Sequence, residues 1–283
     1  MLGLPGSAAN LNSEGQISCR CADLARGRSS TAVIAVLAAV ALLGAPVVVH
    51  DAQERSPLAS VGARPGAFAR DPVVYRRVAD GWVQYWMLFE RNDQDRGVLR
   101  TGRHAGDWEM VQVRLDGSEA VFAQHSGAER CGADAVETRG GRFVVYVANG
   151  SHAAYFHPGV RDRMWPDPND EARGDGAVVT PRVEPLGSWA RWPGRWGGAR
   201  AGWQPGEMDS PRGPAFQPQG RWSDPEGWAR RARPCTFRGC DEVGECDTPE
   251  TLAAVAVPAA AALLILVGVR RRRSSGDAEH PGA

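Results

Sequence analysis

The residues most able to do chemistry are His104-Ala105-Gly106-Asp107-Trp108-Glu109. With Asp107 onward on a strand, Asp107 and Glu109 share a face with Val111, Val113 and Leu115, because strand side chains alternate with period two. Trp108, Met110, Gln112 and Arg114 point the other way. Two carboxylates therefore continue a core-facing row, roughly 6–7 Å apart. At an effective dielectric of about 20 their repulsion is about 2.5 kcal/mol, and desolvation adds to it. The pair calls for a positive companion: a bound cation, a buried Arg, or a proton held by one acid. Oxygen-rich ligation with one imidazole, from His104, suits a divalent ion of the calcium, magnesium or manganese type.

Other groups fall near predicted strand ends. His125 ends AVFAQH, His152 follows Gly150-Ser151 just past FVVYVA, and Asp93 lies in a polar loop after WVQYWMLF. His125 and His152 are the candidate general bases if the site is catalytic. The chain carries no P-loop, dinucleotide fingerprint or H-E-x-x-H pattern. Ser151 beside His152 makes no triad, since chain neighbours rarely face each other. Binding is therefore preferred over catalysis. Asp167, Asp170 and Asp175 lack the spacing of a helix-loop-helix calcium site and read as a solvated loop.

The elements that must position these groups are mostly short strands. Trp82–Phe89 reads as a strand buried on both faces. Trp108–Leu115, Ala120–Gln124 and Arg142–Ala148 are further strands, with turn chemistry at Asp116-Gly117 and Gly140-Gly141. Val73–Val78 is a strand or a short helix. Beyond Gly187, six of the ten tryptophans sit among Pro and Gly; long loops packed down by indoles are expected. A short helix at Pro225–Ala232 is predicted, with Ser223 and Glu226 as a capping box. The fold class is all-β: a β-sandwich with long Pro/Gly/Trp-rich loops.

Two uncharged apolar runs flank this segment, Thr31–Val49 and Thr251–Val269. A helix of about 19 residues spans roughly 28 Å, close to the hydrocarbon thickness of a bilayer. Arginines precede the first run and follow the second, which places both ends in the cytoplasm and the middle outside. The first run is a retained anchor or a cleaved signal. The expected layout is a cytoplasmic tail (1–30), a transmembrane helix or signal anchor (31–49), a linker (50–70), an extracytoplasmic sandwich (71–249), a second transmembrane helix (251–269) and a basic cytoplasmic tail (270–283). Cys131, Cys235, Cys240 and Cys246 fall on the outer side and can form two disulfides, in any of three pairings. A zinc site there would lack a paired C-x-x-C. The 33 basic and 33 acidic side chains balance, so no global field favours nucleic acid.

Four ordered motifs, HAGDWEMVQV, AQHSG, VVYVANGSHAAYF and DSPRGPAF, resemble the vacuolar protein sorting-associated protein 62 family. That family is largely a domain of unknown function. Ala105 stands where its usual pattern has Glu. More distantly, the chain is similar to the necrosis- and ethylene-inducing peptide-like cytolysins, which carry Gly-His-Arg-His-Asp-Trp-Glu on a β-sandwich and hold a divalent cation. That resemblance implies His104, Asp107 and Glu109 as ligands with Asp93, or else Asp95, as the upstream acid. It places Gly106 where those proteins have their second motif His. The expected function is a membrane-anchored, metal-binding domain that recognises a glycan or lipid head group. A metal-dependent hydrolase of envelope esters and a structural envelope protein are the alternatives.

Overall fold

A computed structural model describes residues 44–94, 102–124, 127–161, 169–198 and 208–235. Among these residues the chain is mostly β, with one α-helix. Five strands form an antiparallel meander: Val73–Ala79, Trp82–Asn92, His104–Arg114, Glu119–Gln124 and Gly127–Gly132. Asp80-Gly81 makes the first hairpin with both residues at positive φ (49° and 81°), the geometry that two-residue hairpins favour. Arg182–Pro185 joins one edge of this sheet in parallel, and Arg233–Pro234 joins the other. A second sheet has the order Ala154–Tyr155, Arg142–Val147, Val47–Val49, Val178–Val179.

The two sheets share one core, which makes a sandwich. Val83, Tyr85, Met87, Phe89, Val111, Val113 and Phe122 of the first pack with Val48, Phe143, Val145 and Val147 of the second. The opposite face of the first sheet is also covered. There Trp82, Trp86, Leu88, Trp108 and Met110 meet Trp189, Trp192, Trp196, Trp222 and Trp228 from the later loops. This explains why Trp82–Asn92 is apolar on both faces. Two buried amides pin the loops down: Gln84 donates to Gln112 Oε1 (3.0 Å) and to the Arg221 carbonyl (2.6 Å), and Gln112 donates to the Pro225 carbonyl (3.0 Å).

Several expectations need correction. The helix runs Pro225–Arg231, and its cap is Asp224, whose carboxylate accepts from the Gly227 N–H (2.8 Å). Glu226 instead accepts from Trp82 Nε1 and Arg114. Leu115 falls one residue past its strand and is exposed. Residues 50–70, read as linker, hold the strands Leu58–Val61 and Phe68–Ala69 and the buried residues His50, Asp51 and Ser56. Gly127–Gly132 and Arg182–Pro185 are strands without an apolar signature.

The placement of a membrane-anchored chain with both termini in the cytoplasm is also corrected. Among the described residues no helix is long and apolar enough to cross a membrane. Val47–Val49, which ends the first apolar run, is a buried strand parallel to Arg142–Val147. Three successive valines favour extended backbone, and here they fill a sheet centre. Residues 31–43 and the run 251–269 lie outside the described residues. One disulfide joins Cys131 to Cys235 and ties the Gly127–Gly132 edge to the strand after the helix. Cys240 and Cys246 lie outside the described residues.

Candidate functional site

Cross-strand register fixes the two acids. Asp107 pairs with Phe89 and Glu109 with Met87, both residues of the shared core. The acids thus face inward, ahead of Val111 and Val113, as alternation predicts. Asp107 is 7% exposed and Glu109 8%.

Their positive companion is His152. The turn between Arg142–Val147 and Ala154–Tyr155 places Gly150 at φ 67° and His152 at φ 57°. A left-handed histidine is uncommon and costs about 1 kcal/mol or more. Here it turns the imidazole into the sandwich, where it is wholly buried and stacks on Phe89 at 4.0 Å between centroids. Nδ1 donates to Asp107 Oδ2 (2.9 Å), which also accepts from Asn92 Nδ2 (3.3 Å). Nε2 lies 3.6 Å from Glu54 Oε2, an ion-pair distance rather than a hydrogen bond. Glu54 is itself held by the N–H groups of Gly150 (2.8 Å) and Ser56 (2.6 Å). On the far side Arg221 Nη1 comes within 3.9 Å of Glu109 Oε2.

The charge states follow. Burial alone would lower the His152 pKa, but Asp107 and Glu54 raise it to about 9. Burial works against ionised Glu54, yet His152 and the two N–H groups bring it down to about 2. Burial pushes the Glu109 carboxyl well above the usual carboxylate range, and the Asp107 charge adds to this. Burial lowers neighbouring His50 to about 4; Glu54 opposes that and His152 reinforces it. The positive charge that the acids require is thus supplied from within the chain, by an imidazolium and a more distant guanidinium, with a proton favoured on Glu109.

The four residues expected to hold an ion fare differently. Asp107 and Glu109 are side by side, and Asp107 is bonded to His152. His104 turns Nδ1 to the Gly106 carbonyl (2.9 Å). Asp93 faces Arg91 (3.7 Å). Among the described residues no group of three or more His, Cys, Asp or Glu side chains is arranged to hold a metal ion. Asp95, Asp167 and His125 lie outside the described residues. Asp170 accepts from Ser151 Oγ and the Tyr155 hydroxyl, while Asp175 accepts from the Ala52 N–H, so these two acids serve separate structural contacts.

Sequence reasoning missed Glu54, His50, Asn92 and Arg221. Glu54 sits in a stretch whose composition resembles a linker. Arg221 sits in a loop with no periodicity. Only Asn92, three residues past the predicted end of its strand, carried a usable signal.

A cleft of about 280 Å³ opens beside this network, lined by Gln53, Glu54, Arg55, Asp93, Arg103, Asn149 and Gly150. Fold and site together define a two-sheet β domain with a buried His–carboxylate network under a polar cleft. Within it, residues 95–163 match the family model of Vacuolar protein sorting-associated protein 62, which bears out the resemblance read from the motifs. The fourth motif, DSPRGPAF at 209–216, lies outside the matched residues. No curated protein matches the chain. Among solved structures, "Toxin fold for microbial attack and plant defense" is 16% identical, covers 69% of this chain and 87% of that one, and has a TM-score of 0.36. "NLPPya in complex with glucosamine" is 16% identical, covers 52% and 74%, with a TM-score of 0.33. "NLPPya in complex with mannosamine" is 16% identical, covers 61% and 83%, with a TM-score of 0.34.

Proposed function

We propose that this domain is a recognition module that takes a hydroxyl-rich ligand, a glycan, in the polar cleft. The observation that carries this reading is the lining itself. Carboxylates (Glu54, Asp93), guanidiniums (Arg55, Arg103) and an amide (Asn149) converge on one concavity, offering both acceptors and donors. Paired hydroxyls need that mixture, since each is donor and acceptor at once. Glu54 gives the cleft a fixed edge, because its carboxylate is already held by two N–H groups and His152. Preorganised groups of this kind lower the ordering cost of binding.

Catalysis is less well supported. A general base needs a free lone pair, and His152 is held protonated between two carboxylates in a fully buried position. One observation favours the metal reading: Glu109 Oε2 is buried without a hydrogen-bond partner. An ion at His104, Asp107, Glu109 and Asp93 would have to draw Asp107 away from His152, and a saturable thermal shift with calcium or magnesium would reveal it.

The test of the leading reading is a calorimetric titration with mono- and oligosaccharides, glucosamine and mannosamine among them. Binding is expected to weaken about tenfold in Asp93→Ala and in Arg103→Ala, the loss of one charged hydrogen bond apiece. Unchanged, wild-type affinity in both variants, or no saccharide bound at millimolar concentration, would remove the cleft from consideration.

A further inference from the structure

A second cleft, of about 400 Å³, adjoins the polar cleft, and Arg55 lines both. Its other walls include Pro57, Arg70, Pro72 and Glu90. Strand register sets how the two clefts follow one another. Leu58 pairs with Phe89 in the antiparallel sense. Continued backwards along the chain, that pairing sets Pro57 beside Glu90, Ser56 beside Arg91 and Glu54 beside Asp93. The Arg91 N–H donates to Ser56 Oγ (2.9 Å), so the two segments stay together past the end of the ladder. Pro57 and Glu90 line the second cleft, while Glu54 and Asp93 line the first. The two concavities are therefore successive positions along one pair of antiparallel segments, with Arg55 between them.

The two acids come out on the same side. Phe89 packs into the shared core, and Asn92 reaches inward to Asp107. Alternation therefore shifts by one residue between them, so Glu90 and Asp93, each one step further on, both turn away from the core. Their side chains are 36% and 38% exposed. Three strand residues separate them by about 10 Å, more than one sugar ring spans.

The second cleft also has the chemistry of a sugar site. Pro57 and Pro72 present apolar rings to the C–H face of a pyranose. Glu90 and Arg70 supply an acceptor and donors for its hydroxyls. These two lie 3.8 Å apart, with the Arg70 side chain 91% exposed. A pair so exposed contributes little, and ligand hydroxyls can replace its contact at small cost.

We infer that the two clefts are consecutive subsites and that the ligand is an oligosaccharide, with one sugar unit in each cleft and Arg55 reaching both. This inference rests on the glycan reading of the first cleft and extends it from a single sugar to a chain.

The test titrates the full chain with glucosamine and with its β-1,4-linked dimer and trimer, and follows binding by calorimetry. The trimer is expected to bind about tenfold or more tighter than the monomer. Arg70→Ala and Glu90→Gln change side chains at the mouth of the second cleft and leave the core intact. Together they should bring the trimer down to about the affinity of the monomer, which itself should move less than about twofold. Asp93→Ala, in the first cleft, should weaken monomer and trimer alike. A trimer no tighter than the monomer, or a gain with length that survives in the Arg70→Ala, Glu90→Gln double variant, overturns the inference and leaves the single-sugar reading standing. Failure of monomer, dimer and trimer alike to bind would count against both readings together.

Discussion

Asp107→Ala is expected to destabilise the domain by about 3–5 kcal/mol, a drop of roughly 10 °C in Tm. The reason is the charge left behind. His152 is wholly buried, and Asp107 supplies its direct hydrogen bond. Truncating one partner of a buried pair strands the other, which costs more than the pair contributes while intact. Asn92 loses a partner as well. Asp93→Ala is the informative contrast. Its carboxylate lies 3.7 Å from Arg91 with both side chains substantially exposed, so its loss should cost under about 1 kcal/mol. Urea unfolding of the two variants measures both values. Equal, small losses would mean that Asp107 carries no special burden.

Gly106→Ala is expected to cost about 3 kcal/mol or more. The backbone there has φ +67°, and a Cβ would stand 2.3 Å from the Trp196 carbonyl oxygen. Left-handed backbone costs a non-glycine residue about 1–2 kcal/mol, and overpacking adds about 1–3 kcal/mol. Gly81→Ala isolates the first contribution: φ is +81°, but nothing lies within 4 Å of its Cβ position. It should cost only about 1–2 kcal/mol. Any larger side chain at 106 would likewise drive into the Trp196 backbone. Identical unfolding midpoints for the two glycine variants would contradict the close approach.

Alternation made the inward direction of Asp107 and Glu109 legible, and their demand for positive charge followed from Coulomb's law alone. The two-faced burial of Trp82–Asn92 was legible too, because no polar face interrupts it. The source of the charge was not. His152 is recognisable in the sequence as a strand-end histidine, but its inward direction depends on a left-handed backbone that no periodicity encodes. Glu54 reaches the site from a stretch rich in Ala, Ser, Pro and Gly, and its role depends on contacts with Gly150 and His152, both distant in sequence. Val47–Val49 was absorbed into a longer apolar run, since three valines suit a strand and a membrane helix alike.

The network also sets a pH window. Glu54 lies below its ordinary 4.5, so its contribution is present above that pH and is lost as pH falls through about 2. His50 is likewise depressed, so its contribution is present above 6.5 and is lost as pH falls through about 4. His152 is raised, so its contribution is complete below 6.5 and is lost as pH rises through about 9. Glu109 is raised as well, so its contribution is complete below 4.5 and is lost as pH rises through its folded value. Stability should therefore pass through a broad maximum between about pH 4.5 and 6.5 and fall on both sides.

The most direct measurement is an NMR titration of the His152 ring in the ion-free chain. Two carboxylates and a stacked phenyl ring should keep that imidazole doubly protonated at neutral pH, releasing its proton only near pH 9. A ring already neutral at pH 7, or one that changes state on adding calcium, would show that the buried acids draw their balancing charge from somewhere other than this histidine.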